Sequence, residues 1–137
     1  MKKINTNELF FEKGYSNVII LDYLGKNEIM KYYIASDLFV LAIREDIWGL
    51  VIVEALAAGI PLISTDKCVA ALELKNQGAD ISIVKHDNPK EIRYQILRIL
   101  DNSFSYDMEK NINIAKKYTL ENVVLSHKKA FDEVIGE

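Results

Sequence analysis

Apolar residues recur along the 137-residue chain in two patterns, short runs rich in Val and Ile and longer stretches with helical spacing. The short runs are typical of strands in a buried parallel sheet, and the longer stretches are typical of helices that cover it. The alternation of the two predicts one α/β domain over residues 1–137, with a parallel sheet flanked by helices. The predicted strands are 17–22, 38–43, 62–65 and 80–84. The predicted helices are 5–13, 27–36, 50–58, 69–76, 89–100, 106–118 and 119–135.

Several boundaries carry residues with a strong local preference. Gly59 follows the central helix, where glycine commonly ends a helix, and Pro61 opens the next strand. Pro89 stands in a first helical turn, where proline is well tolerated. Asn27 and Thr119 are predicted to cap the helices that follow them.

Composition narrows the class of protein. Half of the residues are hydrophobic and 27% are charged, as expected for a soluble globular protein. The formal charge of −3 includes no basic footprint, so nucleic acid is not expected as a main partner. Cys68 is the one cysteine, which excludes an internal disulfide and fits a reducing compartment. No signal peptide and no membrane span are evident in the sequence, so a cytoplasmic location is expected.

The stretch from Arg44 to Asp66 contains two carboxylates in unusual places. Asp46 precedes Gly49 by three residues, and Glu54 lies in the otherwise apolar helix predicted over 50–58. A buried carboxylate without a partner is costly, so Glu54 needs either a protein group or a ligand. In an open parallel sheet, ligands lie beyond the carboxyl ends of the strands, against helix N-termini. We therefore expect residues 46–50 to line a ligand crevice.

The sequence resembles a known family at this stretch. An acidic residue and a Glu are separated by seven others, with Gly-Leu-Val between them and Glu-Ala-Leu-Ala-Ala-Gly-Ile-Pro-Leu-Ile following. This pattern resembles the signature of family 4 glycosyltransferases, and residues 17–25 and 32–41 resemble other stretches of that family. The resemblance implies a Rossmann-like domain, the C-terminal, donor-binding half of a retaining enzyme with the two-domain GT-B architecture. It also implies a role in the synthesis of cell-surface or capsular polysaccharide.

The resemblance further implies roles for individual residues. The amides of Leu50 and Val51, after Gly49, would hold the distal phosphate of a nucleoside-diphosphate sugar. Asp46 matches the acid that contacts the sugar hydroxyls, and Glu54 matches the acid that accepts hydrogen bonds from the ribose. Asp46 is one methylene shorter than the usual Glu, and the adjacent Glu45 is a substitute for it.

Three further residues near this stretch keep two interpretations each. Arg44 and Lys67 are either phosphate contacts or solvated loop residues. Trp48 is either a packing residue that anchors the turn or a platform on which a sugar stacks. His86 and His127 lack the companion residues of a metal or nucleophile site, so no metal and no cofactor are expected. The implied chemistry is stabilisation of the departing nucleoside diphosphate by the helix and by basic side chains.

The resemblance also implies what the chain lacks. The donor domain of the family begins with two further strands, whose loops supply an Arg and a Lys to the diphosphate, and an acceptor domain precedes it. Without those strands, the predicted strand 17–22 loses its neighbours, which predicts self-association or a rearranged sheet. We expect the isolated chain to bind a nucleoside diphosphate weakly and to transfer sugar poorly or not at all. Two interpretations are open for lysines 116, 117, 128 and 129. They either form a solvent-exposed face or weakly attract the chain to anionic lipid at the inner face of the membrane.

Two other classes of protein stay open. The first is a non-catalytic α/β module that associates with itself or with a partner chain bearing the acceptor half. The second is a flavodoxin-like receiver, which needs an acidic pair ahead of a phosphorylatable Asp at a strand end. Asp22 follows a predicted strand, but no acidic pair precedes it, which disfavours the receiver.

Overall fold

The computed structural model describes residues 17–45, 48–101, 103 and 105–136. The helix predicted over 5–13 lies outside these residues. The described chain forms three strands, β1 (Phe39–Leu41), β2 (Leu62–Thr65) and β3 (Ile81–Val84). It also forms six α-helices, which are α1 (Lys26–Ala35), α2 (Leu50–Ala57), α3 (Val69–Asn76), α4 (Pro89–Leu100), α5 (Met108–Ala115) and α6 (Leu120–Ile135). A 3₁₀ turn, Lys116–Tyr118, joins α5 to α6.

The three strands form one parallel sheet in the order β1-β2-β3. Phe39 pairs with Leu62 at the start of β1, and Ile63 pairs with Ser82 further along β2. The connections from β1 to β2 and from β2 to β3 contain α2 and α3, as parallel neighbours require. The predicted α/β class, a parallel Rossmann-like sheet flanked by helices, is confirmed.

The core lies around the central strand. All four residues of β2 are buried, two of them apolar and two polar. The hydroxyls of Ser64 and Thr65 donate to the carbonyl oxygens of Leu41 and Ile43, so these polar side chains are satisfied inside the core. Ile52 and Leu56 of α2 and Leu74 of α3 are fully buried beside it. Cys68, the last residue before α3, also has no exposed surface. The two crossover helices therefore share one hydrophobic core with the middle of the sheet.

Helix α5 is fixed beside α2 by close packing and by a buried amide. Gly59, just after α2, has a φ of +73°, and a Cβ at this position would lie 2.8 Å from Cγ of Met108 in α5. Asn111 of α5 is fully buried, and its Oδ1 accepts a hydrogen bond from the amide of Asp80 at 2.7 Å. Tyr106 donates a hydrogen bond to the carbonyl oxygen of Ile60 at 2.6 Å. These contacts fix the C-terminal end of α2, at the opposite end of the helix from its first turn.

The strand predicted over 17–22 is wrong. This segment forms no strand in the structure, and its apolar side chains Val18, Ile19, Ile20 and Leu21 are exposed, Ile19 by 83%. A run rich in Val and Ile favours a strand only where neighbours bury it, and this segment has none within the described chain. The order of the three described strands follows the chain, so no rearrangement is present among them. Self-association stays a prediction.

Other predicted boundaries differ by a few residues. Strand 38–43 shortens to β1, and helix 106–118 divides into α5 and the 3₁₀ turn. The predicted cap at Asn27 is wrong, because α1 begins at Lys26 and Gly25 precedes it. Thr119 does cap α6, since its side chain accepts a hydrogen bond from the amide of Asn122. Helix α6 carries a further set of exposed apolar side chains, namely Leu120, Val123, Val124, Leu125, Phe131, Val134 and Ile135.

Candidate functional site

The carboxyl ends of the three strands surround a cavity of about 490 Å³. Arg44 follows β1, Thr65 ends β2, and Asp87 follows β3. Each strand therefore has a lining residue of the cavity at its carboxyl end or shortly after it. The first turn of α4 closes one side through Asn88 and Pro89. This position matches the crevice in which open parallel sheets bind ligands.

Arg44 and Asp87 form an ion pair at this cavity. Nε of Arg44 donates a hydrogen bond to Oδ1 of Asp87 over 2.6 Å, and the two side chains are 81% and 56% exposed. The hydrogen bond and the charge of Asp87 both raise the pKa of Arg44 above its ordinary value. Asp87 has a φ of +56°, in the left-handed region that Asp tolerates better than most residues. The predicted phosphate contact Arg44 is thus already bound by a carboxylate.

A second acidic residue lies at the same edge of the sheet. Oδ1 of Asp66 accepts a hydrogen bond from the amide of His86 at 2.9 Å and lies 2.8 Å from its Nδ1. These two hydrogen bonds from His86, in that order, lower the pKa of the Asp66 carboxyl. Lys67 is exposed beside them, and its amide donates to Oγ1 of Thr65. Lys67 lies two residues after β2, and its role as a phosphate contact or a solvated loop residue stays a prediction.

In the first turn of α2, the amide of Leu50 is not free, in contrast to the prediction. Gly49 is buried, with φ −77° and ψ 85°, close to the geometry of an inverse γ-turn. This turn directs the amide of Leu50 to the carbonyl oxygen of Trp48 at 3.1 Å. The expectation that the Leu50 amide is open to a phosphate is therefore wrong for this conformation, because a protein carbonyl accepts its proton. Val51 lies in the first turn of the helix, where amides have no intrahelical acceptor.

Trp48 packs against an aromatic ring from another part of the chain. Its ring centroid lies 6.2 Å from that of Tyr118, with an angle of 40° between the planes. The hydroxyl of Tyr118 accepts a hydrogen bond from Gln77 at 2.7 Å. This contact fits the interpretation of Trp48 as an anchor of the turn, while 38% of its surface stays exposed.

Glu54 has a protein partner, Tyr33 of α1. The hydroxyl of Tyr33 donates a hydrogen bond to Oε2 of Glu54 at 3.3 Å. Tyr33 is 5% exposed, and its ring centroid lies 5.4 Å from that of Phe39 in β1. Burial, followed by the charge and the hydrogen bond of Glu54, raises the pKa of Tyr33 to about 12. Tyr33 therefore remains a hydrogen-bond donor at any ordinary pH.

Two other acidic residues, Asp46 and Glu45, are predicted to contact the ligand. Asp46 lies outside the described residues, so its relation to Glu54 stays a prediction. Glu45 is described and exposed. Within the described chain, Oε1 of Glu54 has no hydrogen-bond partner, so the half-buried carboxylate has one oxygen held and one open.

Sequence analysis missed three residues of this region, namely Tyr33, Asp66 and Asp87. Helical spacing places Ile29, Tyr33 and Ile34 on one side of α1, but it does not identify the element that this side contacts, and Ile34 is exposed. No local sequence pattern indicated a role for Asp87, because its partner Arg44 is 43 residues away along the chain. Both partnerships depend on how the elements pack, which local spacing does not encode.

Two searches of the described residues were negative. No group of three or more His, Cys, Asp or Glu residues in residues 17–45, 48–101 and 105–136 is arranged to hold a metal ion. No helix of the described chain is long and apolar enough to cross a membrane.

A sequence model of the family described as "Glycosyl transferases group 1" matches residues 3–102, which include the sheet and helices α1 to α4. A comparison with curated proteins gave no match.

Proposed function

Because the chain belongs to the group 1 glycosyltransferases, we propose that it is the donor-binding part of a retaining glycosyltransferase. Enzymes of this kind take a nucleotide-sugar donor and an acceptor as substrates. The observation that carries the proposal is the state of Glu54, a half-buried carboxylate on α2 with Oε2 held by Tyr33 and Oε1 open. A carboxylate can only accept hydrogen bonds, so its complement is a ligand rich in hydroxyl groups, such as a ribose.

The proposed donor lies along the first turns of α2. Its distal phosphate is near the amide of Val51, where the helix dipole and an amide without an intrahelical acceptor favour negative charge. Its ribose donates to Glu54, and its sugar approaches Asp46 or Glu45. Charge that develops on the departing diphosphate is stabilised by the helix and by Lys67, with Arg44 contributing once Asp87 is displaced. This transfer requires no cofactor and no metal bound by the protein.

The rest of the enzyme is supplied by another domain or chain that binds the acceptor. We expect the chain alone to bind nucleotide weakly and to transfer little sugar, because Asp87 holds Arg44 and the carbonyl oxygen of Trp48 accepts the proton of the Leu50 amide. The proposed setting is polysaccharide synthesis in the cytoplasm, at the inner face of the membrane.

Calorimetric titration with UDP and with GDP tests this proposal on the wild type and on Glu54→Gln. We expect saturable binding to the wild type, weakened about three- to tenfold in the variant, because Gln keeps an acceptor oxygen but loses the charge that strengthens the hydrogen bond. Glu121→Gln, an exposed acid on α6, is the matched control and should bind as the wild type does. Absence of binding, or equal binding by Glu54→Gln and the wild type, would contradict the proposal.

A second candidate function is a non-catalytic module that associates with itself or with a partner chain. The exposed apolar segment 18–21 favours it, because large apolar patches commonly mark surfaces buried in an assembly. Sedimentation velocity over a range of concentrations distinguishes the two functions when it is combined with the titration. A concentration-dependent dimer that binds no nucleotide would favour the module, and a monomer that binds UDP or GDP would favour donor binding.

A further inference from the structure

We propose that Tyr33 is a positioning residue that holds Glu54 ready for a hydroxyl group of the bound nucleotide. This inference rests on the proposed function, in which Glu54 contacts the ribose. Tyr33 belongs to α1 and Glu54 to α2, so their hydrogen bond joins the two helices that lie on either side of β1 in the sequence.

Tyr33 is suited to this role because its hydroxyl has a fixed place. The side chain is 5% exposed, and the ring of Phe39 packs at 5.4 Å and 56° against it. A buried ring with few rotamers sets the position of its hydroxyl through the backbone of α1. Glu54, by contrast, has a flexible side chain that is only half-buried. The hydrogen bond therefore restricts the Glu54 carboxylate to positions that lie within reach of the fixed Tyr33 hydroxyl.

The direction of the hydrogen bond decides what Glu54 can bind. With its pKa raised to about 12, Tyr33 keeps its proton and donates it to Oε2. Oε1 has no partner within the described chain and can accept only from a donor such as a hydroxyl or an amide. The hydrogen bond at Oε2 restricts the positions open to Oε1, so a ligand hydroxyl meets a carboxylate that needs less reordering.

A purely structural role for Tyr33 is the alternative, in which the hydrogen bond only ties α1 to α2. Both roles predict that Tyr33→Phe lowers the stability of the fold. Only the positioning role predicts that the effect on ligand binding depends on Glu54. A double-mutant cycle therefore separates them.

The experiment titrates UDP, or GDP if it binds more tightly, into wild type, Tyr33→Phe, Glu54→Gln and the double variant. We expect Tyr33→Phe to weaken binding about three- to tenfold, as one hydrogen bond predicts, and to cause less than about a twofold further loss in Glu54→Gln. Tyr32→Phe, which removes the same hydroxyl from an exposed neighbour on α1, should bind as the wild type does. Urea unfolding of each protein checks that the variants are folded at the titration temperature.

A second ligand sharpens the test. In the 2′,3′-dideoxy form of the same nucleotide, the ribose has no hydroxyl at these two positions to donate to Oε1. We expect wild type and Tyr33→Phe to bind this ligand with the same affinity, although they differ for the parent nucleotide. A change that merely disturbed the fold would weaken both ligands alike.

The outcomes separate this inference from the proposed function. If the wild type binds UDP or GDP and Tyr33→Phe matches it, or loses the same factor with and without Glu54, the positioning role is overturned and donor binding stands. If the wild type binds neither nucleotide, the proposed function fails and the positioning role fails with it.

Discussion

Asp87 shows how one residue can set the charge of the strand-end cavity. It lies after β3 and forms an ion pair with Arg44, which lies in the loop between β1 and α2. Any anionic ligand that uses Arg44 must first displace the Asp87 carboxylate. Since both side chains are mostly exposed, the pair is weak and screened by salt, so a diphosphate can compete with it.

We expect Asp87→Asn to strengthen nucleoside diphosphate binding about two- to fivefold at low ionic strength, a range typical of an exposed charge. Asn tolerates the left-handed backbone of this position, so the substitution removes charge without straining the turn. Calorimetry at low and high salt measures the effect, which should shrink as salt screens the site. Asp37→Asn, an exposed acid before β1, is the control, and an equal gain in that variant would show a non-specific effect of net charge.

Asp66 makes the stability of the fold depend on acid pH. The hydrogen bonds from His86 lower its pKa in the folded state below the ordinary value of 3.8. The stabilisation is therefore fully present above this ordinary value and is lost as the pH falls through the lower folded value. We expect Asp66→Asn to flatten the fall in stability below about pH 4. Urea unfolding between pH 7 and pH 3 measures this, and an unchanged slope in the variant would contradict it.

The need of Glu54 for a partner could be predicted from one residue, because a carboxylate inside an apolar helix is costly wherever the helix lies. The identity of the partner could not. Tyr33 is 21 residues earlier in the chain, and only the packing of α1 beside α2 brings its hydroxyl to the carboxylate. The same limit applies to the Leu50 amide, whose acceptor depends on the γ-turn at Gly49.

At the scale of elements, prediction succeeded where local signals and burial agree. Strand β2 and helices α3 and α4 have the predicted bounds. The four residues of β2 are apolar or small and fully enclosed, and α4 begins with a capping Asn88 and Pro89. Segment 17–22 has the composition of a strand but no neighbour to pair with in the described chain, so composition alone was misleading.

The contact between α2 and α5 gives a prediction at this scale. Gly59→Ala places a Cβ 2.8 Å from Cγ of Met108 at a residue with a φ of +73°. We expect a loss of about 1–3 kcal/mol in the free energy of unfolding, from backbone strain and crowding together. Gly136→Ala is a matched control, because that residue also has a positive φ of +76° but no atom within 4 Å of a built Cβ. Urea unfolding compares them, and an equal loss in the two variants would exclude crowding against α5.

At the scale of the whole molecule, exposed apolar side chains concentrate in two places. One is segment 18–21, and the other is α6, where Phe131 is 66% exposed. Contiguous exposed apolar side chains commonly mark surfaces that are buried in an assembly. The distribution fits the proposal that the chain functions within a larger assembly. At segment 17–22 the predicted strand is wrong, whereas the helix predicted over 119–135 is present as α6 despite its exposed apolar side chains.

The single thiol has a practical consequence for following motion in this fold. Cys68 is fully buried at the start of α3, between the helix and the sheet. A thiol reagent can reach its sulfur only when this part of the core opens. Labelling therefore measures the open fraction at low reagent concentration, and the opening rate once labelling outpaces reclosing. Labelling of Cys68 thus follows the local opening of the central sheet. A ligand that binds at the strand ends would slow the labelling by stabilising the closed form.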